Sequence, residues 1–275
     1  MGRKRDERRK AETRTPAEKR AKLTVIVPSY NEEGNIAECL GSVAWADEIL
    51  VVDSFSTDRT VEIAKKYADR VIQHEYINSA AQKNWAIPKA RHEWVMILDC
   101  DERVTPKLRD EMIALLAGAP DREGYLIRRN NALFGKRVRF SGWGGESLLR
   151  LFLRDRGRYE EKRVHAEVEL KNTGKLAGAL EHNTVSSLSQ WVLKINRYST
   201  WKAEDKYQRR TAAPVLHVII RPPLRFFKDF ILRLGFLDGW RGFLIAAMSS
   251  FAELVMAAKL LELTMKRLPS EREKK

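Results

Sequence analysis

The chain has 275 residues, 44% of them hydrophobic and 32% charged, with a formal net charge of +14. That composition excludes a disordered or fibrous protein and suits one large domain or a domain with an appendage. The excess charge sits at the two ends: ten Lys or Arg face four acids in residues 1–22, and fifteen face eight in residues 202–275. The middle is near neutral, so the basic ends imply an anionic surface as partner.

Residues 1–22 hold no apolar run, which argues against a secretory signal or an anchor there, and residues 1–21 are expected to form a disordered basic tail. Cys39 and Cys100 are far apart in sequence and lack metal-ligand spacing; this suits a reducing compartment. Cys100, between two aspartates, is either oxidation-sensitive or a small residue turned inward.

Leu23 to Pro28 reads as a buried strand, followed by the polar turn Ser29 to Asn35 and a short helix from Ile36 to Val43. Glu48 to Val52 is a second strand ending at Asp53. Ser56-Thr57-Asp58 offers an N-cap for a helix from Thr60 to Tyr67. Arg70 to Ile72, a helix over Ala80 to Ala90 and a strand from Trp94 to Leu98 repeat the unit. Strand and helix alternate with short connections, which predicts an α/β fold with a parallel sheet covered on both faces.

The fourth strand runs into Asp99, Cys100, Asp101 and Glu102. No core accepts such acids, so they belong at the carboxyl edge of the sheet, where α/β proteins bind ligands. Asp99 and Asp101 are spaced to share one hard cation whose other positions go to water and substrate phosphate. A solvated acidic turn is the bland alternative. No Gly-x-Gly-x-x-Gly or Walker loop follows any of these strands, which argues against a dinucleotide dehydrogenase and a P-loop ATPase.

Beyond Glu102 a helix is expected from Thr105 to Ala117 with Pro106 in its first turn, then strands at Gly124 to Ile127 and Leu148 to Leu153. Between these strands lies a turn-rich stretch that includes Trp143 and Glu146. Val164 to Leu170 alternates as a half-solvated strand does. From Leu188 the chain reads as helix. Pro214 and Pro222-Pro223 are expected to break it, and Leu224 to Leu234 has the composition of an interfacial membrane helix. Gly242 to Leu263, interrupted by Glu253 and Lys259, falls short of an ordinary span and reads as monotopic, with a helical hairpin packed on the core or on a dimer partner as the alternative. No nucleic-acid-binding module is recognisable.

Val27-Pro28-Ser29-Tyr30-Asn31-Glu32, Val51-Val52-Asp53-Ser54 with Ser56-Thr57-Asp58, Ala81-Gln82-Lys83-Asn84 and Leu98 to Glu102, in that order, resemble the family 2 inverting glycosyltransferases of GT-A fold, nearest the bacterial lipopolysaccharide core glucosyltransferases. The resemblance covers roughly residues 22–200. It implies a GT-A mixed sheet over residues 22–185 and a helical, membrane-associating region over 186–275. It also implies a nucleotide-sugar donor, UDP-linked, with Pro28, Tyr30, Glu32 and Asp53 around base and ribose and Lys83 near the nucleotide. Asp99 would serve the ribose edge and, with Asp101, Mg2+ or Mn2+ on the diphosphate; His165 is a further metal candidate. The acceptor would be a lipid-linked saccharide at the cytoplasmic face of the bacterial inner membrane.

Inverting transfer needs a carboxylate to take the acceptor's proton; Glu146 leads, then Glu167 and Glu102. Three departures stand out: the subgroup usually has Gly at Phe55, an Asp-Arg pair where Glu146-Ser147 stand and a His-Glu pair where His165-Ala166 stand. His182 is a metal or phosphate candidate, with a structural histidine as the alternative. Trp143 is either an acceptor platform or core. A catalytically silent scaffold of the same fold and a nucleotidyltransferase are the competing functions; the latter lacks its glycine-rich first loop.

Overall fold

A computed structural model of the chain describes residues 20–161, 166–185, 187–209 and 214–272. The N-terminal 19 residues, and with them most of the expected basic tail, lie outside this set, as does His165. The chain forms two compact units, residues 1–129 with 147–181 and residues 130–146 with 182–275.

In the first unit the alternation of strand and helix is realised. The strands are β1 (Leu23–Ser29), β2 (Glu48–Asp53), β3 (Arg70–Gln73) and β4 (Trp94–Ile97), and the helices α1 (Ile36–Gly41), α2 (Thr60–Ala64) and α3 (Ser79–Ala86) fall between them. β5 (Glu102–Val104), α4 (Pro106–Ala117), β6 (Gly124–Leu133), β7 (Lys136–Arg137), β8 (Gly144–Leu153) and β9 (Thr173–Val185) follow. The strand order is β3-β2-β1-β4-β8-β6-β9-β5, with β7 paired to β6. β1 pairs in parallel with β2 and β4, β2 with β3, and β8 joins β4 antiparallel, which makes the sheet mixed.

Period-two alternation splits the core across the sheet. Leu23, Val25 and Val27 pack with Ile36, Leu40, Leu108 and Met112 on one face. Ile26, Leu50, Val95 and Ile97 pack with Ala86 and Ile87 on the other. Each such side chain contributes about 1.5–3 kcal/mol on burial.

One expectation fails here. Residues 166–170 form no ladder strand; only Val168 bridges, to Tyr159. The thirteen-residue β9 carries little strand signal of its own, because Ala177, Gly178 and Ala179 give a strand core without the usual β-branched residues. Its small residues admit α4: Thr105 Oγ1 donates to the Ala179 carbonyl at 2.7 Å, and Glu111 accepts the N–H groups of Ala177 and Gly178 at 2.8 and 2.7 Å. A Cβ on Gly178 would lie 2.5 Å from the Leu108 Cα. Gly178→Ala is therefore expected to destabilise the protein by about 2 kcal/mol, read from chemical denaturation; no measurable loss would show that α4 does not pack this closely.

The second unit holds α5 (Leu188–Gln208), α6 (Pro214–Phe227) and α7 (Trp240–Arg272), with a π turn at Lys228–Leu232 and a 3-10 turn at Gly235–Asp238. Pro222 and Pro223 do not break the chain but lie inside α6. Two prolines forfeit two backbone donors; the buried Pro222, whose carbonyl accepts Ser250 Oγ of α7 at 2.8 Å, shows packing overriding that cost. α7 runs on as one helix, and its Trp240–Lys266 stretch is long and apolar enough to cross a membrane by length and composition. Residues 130–146 join this unit: Leu133 and Val138 share a cluster with Val185 and Ile245, and half-buried Trp143 packs on it and tilts against Trp191, 5.7 Å away between centroids. Trp143 is thus largely a packing residue. His182 is buried, its Nδ1 2.6 Å from Asn131 Oδ1 and 3.1 Å from Thr184 Oγ1, as a structural histidine is.

Candidate active site

At the carboxyl ends of β1 and β2 two loops are laced together. The Asn31 N–H donates to Ser56 Oγ (2.9 Å), the Thr57 N–H to Asn31 Oδ1 (2.8 Å), the Glu32 N–H to Thr60 Oγ1 (2.7 Å) and the Glu33 N–H to Asp58 Oδ2 (3.1 Å). Ser56, Thr57 and Asp58 thus do more than start α2. Asp58 does accept the Thr60 N–H at 3.0 Å, but the residue preceding α2 is Arg59, with no side-chain cap.

Asp53 ends β2 wholly buried, accepting Ser29 Oγ (3.0 Å), the Ser56 N–H (2.9 Å), Ser56 Oγ (2.5 Å) and Gln73 Nε2 (3.4 Å). A nucleobase that hydrogen-bonded this carboxylate would have to displace Ser56 or Gln73. Pro28 sits in β1 with its carbonyl accepting the Cys100 thiol at 3.2 Å. Glu32 is half-buried, and its carboxylate accepts Asn35 Nδ2 at 2.8 Å.

Two exposed aromatic rings stand on these loops, Tyr30 at 54% and Phe55 at 56% exposure. Phe55 has φ +57°, the left-handed region, which explains why glycine suits this position. Phe55→Gly is expected to raise stability by about 0.5–1 kcal/mol, measured by denaturant midpoint. A loss of stability would mean that the ring makes contacts worth more than the strain.

The acids after β4 are surrounded by cations. Lys83 Nζ lies 2.9 Å from Asp99 Oδ1, and one Arg150 terminal nitrogen lies 2.6 Å from both Asp99 Oδ2 and Glu102 Oε1. Arg129 approaches Glu102 at 3.6 Å, and Glu102 Oε2 accepts the Asp99 N–H at 3.1 Å. Burial works to raise the Asp99 pKa, but Arg150 and Lys83 outweigh it and hold the carboxyl well below the usual carboxylate range. Burial likewise works to lower the Lys83 pKa, and Asp99 overcomes it, so the ammonium stays charged. Arg103 fastens the same turn through the carbonyls of Cys100 (2.7 Å) and Asn35 (3.0 Å).

α3 supplies three consecutive polar side chains, each with a separate partner. Gln82 Nε2 donates to Ser54 Oγ (2.6 Å) and the Val52 carbonyl (3.2 Å), Lys83 meets Asp99, and Asn84 pairs twice with the Tyr159 backbone at 2.9 and 2.8 Å. Lys83 also stands over the Tyr159 ring, 5.4 Å from its centroid.

Asp101 is half-buried beside Asp99. Among the described residues no group of three or more His, Cys, Asp or Glu side chains is arranged to hold a metal. A site of one or two carboxylates still fits a hard cation that keeps its waters and takes substrate phosphate oxygens, and here Asp99 and Asp101 would be the residues to hold it. Both thiols are buried, the Cys39 Sγ 3.6 Å from the Asp99 carbonyl, and burial pushes both pKa values up. Cys100 is therefore an inward-turned protonated thiol rather than a reactive one.

Of the three candidate bases, Glu102 is wholly buried and ion-paired with two arginines, which removes it. Glu146, in β8 and the second unit, and Glu167, in the first, are both exposed. Sequence reasoning missed Arg150, Arg129 and Arg103. A lone Arg in the apolar run Leu148-Leu149-Arg150-Leu151-Phe152 was the available signal, since a buried cation demands an acid.

A mixed sheet whose parallel strands open onto an Asp-x-Asp turn, with no glycine-rich phosphate loop after the described strands, fits the GT-A class of fold. The sequence pattern of glycosyl transferase family 2 matches residues 24–166, more than half of the chain. The lipopolysaccharide core biosynthesis glycosyltransferase LpsC of Rhizobium meliloti (strain 1021) is 30% identical over 253 residues, 87% of this chain and 92% of that protein. An uncharacterized glycosyltransferase of Rickettsia typhi (strain ATCC VR-144 / Wilmington) is 29% identical over 266 residues, 89% and 88% of the two chains. Among solved structures, the mannosyltransferase PcManGT from Pyrobaculum calidifontis, in complex with GDP-Man and Mn2+, superposes with a TM-score of 0.52 over 89% of this chain and 88% of that one at 16% identity, which shows the shared fold. The protein belongs to glycosyl transferase family 2 and is a glycosyltransferase of GT-A fold.

Proposed function

We propose that the enzyme moves a hexose, with inversion, from a UDP-linked donor to a lipid-linked saccharide of the lipopolysaccharide core type at the cytoplasmic face of the inner membrane. The observation that carries the donor site is the Asp99-Cys100-Asp101 turn at the mouth of β4, with Lys83 and Arg150 fixed on Asp99. The name of the LpsC relative supports the acceptor class. The choice of uridine rests on the sequence resemblance.

In this reading the rings of Tyr30 and Phe55 offer stacking faces to the base, and Pro28, Glu32 and Asp53 border the base and ribose. Asp99 orients Lys83 and Arg150, whose positive charge attracts the diphosphate. Asp101, with Asp99, would hold Mg2+ or Mn2+, and the GDP-Man and Mn2+ bound by PcManGT agree with such a cation. When bound, the cation supplies Lewis-acid stabilisation of charge on the leaving diphosphate. Glu146 is the leading base for the acceptor hydroxyl and Glu167 the second. Glu146→Gln, at the leading base, is expected to retain donor binding and lose transfer.

The test is donor binding and slow donor hydrolysis across UDP-, GDP- and dTDP-sugars, with and without Mn2+. Metal-stimulated binding of one donor names the nucleotide. No binding of any donor at millimolar concentration by folded protein overturns the reading.

A further inference from the structure

The turn between α6 and α7 is fixed in place yet presents apolar side chains to water. Asp229, wholly buried, accepts Arg225 Nε at 2.6 Å and an Arg233 terminal nitrogen at 3.0 Å. The Asp238 carboxylate accepts the Phe140 N–H at 2.8 Å, and the Arg233 carbonyl accepts the Ser141 N–H at 3.1 Å. Gly242 packs so closely that a Cβ there would collide with the Gly235 carbonyl oxygen, and Leu234 is held at φ +56°. On this rigid frame Leu232 is 67% and Trp240 57% exposed, and Ile231, Leu234, Phe236 and Leu237 are exposed beside them.

Six exposed large apolar side chains within ten residues of one turn are more than a scattering of single surface hydrophobics, and such groupings mark interaction surfaces. The charge around the turn is one-sided. Residues 214–243 carry five Lys or Arg and two Asp, and both Asp are the ones spent inside the turn. Arg221 and Lys228 are exposed, and the Arg241 guanidinium stacks over Trp240, 4.3 Å from the ring centroid. Aromatic and aliphatic side chains beside snorkelling cations suit the headgroup layer of an anionic bilayer. A second copy of the same face would bring like charges together.

We propose that this turn inserts into the interfacial layer of an anionic membrane and that α7 lies along the surface instead of crossing it. The second part follows from α5, the polar neighbour of α7. Lys259 Nζ of α7 lies among four oxygens within hydrogen-bond distance, the Asn196 carbonyl and Oδ1 (both 2.7 Å), Ser199 Oγ (3.1 Å) and Thr200 Oγ1 (2.6 Å), to which its three N–H groups donate, and Ala203 packs with Met256 and Leu260. A crossing α7 would drag exposed Lys194 and Arg197 of α5 into hydrocarbon, or leave the Lys259 ammonium there without its partners. This deepens the reading of a lipid-linked acceptor by naming the surface that reaches the lipid, yet it stands on the second unit alone.

The test is flotation of the full-length protein with vesicles of phosphatidylcholine, with and without one-quarter phosphatidylglycerol. The wild type is expected to bind the anionic vesicles at least tenfold more tightly than the neutral ones and to be released by alkaline carbonate. Leu232→Glu/Leu237→Glu, at exposed positions, is expected to lose at least tenfold in vesicle binding with an unchanged melting temperature. Donor binding without vesicles is expected to be the same in both proteins, so a failed donor site and a failed membrane surface give different results. No vesicle binding by the wild type, retention through carbonate, or a dimer that the double variant dissolves while vesicle binding persists would each overturn the proposal.

Discussion

Asp101→Asn is expected to lower transferase kcat by at least about a hundredfold, equivalent to about 3 kcal/mol of transition-state stabilisation, with a smaller loss of stability than Asp99→Asn. The carboxylate is half-buried in a turn that is also held by Arg103 on the Cys100 carbonyl and by Glu102 on the Asp99 N–H. Asn preserves shape and removes the charge that a cation needs. Wild-type activity should rise with Mn2+, and the variant's dependence on it should shift to higher concentration. Asp99→Asn serves as the contrast: it leaves buried Lys83 and Arg150 short of counter-charge, so it should lose stability as well as activity. Equal activity of Asp101→Asn and wild type would remove Asp101 from the chemistry.

The second large effect is expected from Arg150→Met. The guanidinium lies between two acids, and its removal strands Glu102, which is wholly buried. Breaking such a pair costs about 3–5 kcal/mol; with Asp99 one-third exposed and Arg129 still near Glu102, about 3 is expected, on the order of 10 °C in Tm. Adding Glu102→Gln to Arg150→Met should recover part of the loss, because it removes the stranded charge. A loss under about 1 kcal/mol in the single variant would mean that water or Arg129 already satisfies Glu102.

These two residues also mark where the sequence was legible. Asp101 announces itself locally, as an acid that ends an apolar run. Arg150 does not: it is 51 residues from Asp99, and only the antiparallel placement of β8 beside β4 brings the two together. The same distinction separates Lys83, found by its motif, from the reason it is there, the salt bridge to Asp99.

By itself the sequence determined the alternation of strands and helices through residue 117, the two-faced core, the acidic mouth of β4 and the family, because each is written in neighbouring residues by periodicity or by a short motif. Tertiary structure decided the rest. It made a strand of Thr173–Val185 from small residues that α4 could approach closely, and it kept Pro222 and Pro223 inside a helix supported by α7. It also turned Asp53 into the tie between two loops and surrounded Asp99 and Glu102 with arginines from distant strands. Packing and ion pairing act between residues far apart in the chain, so their outcome depends on where the fold places each partner.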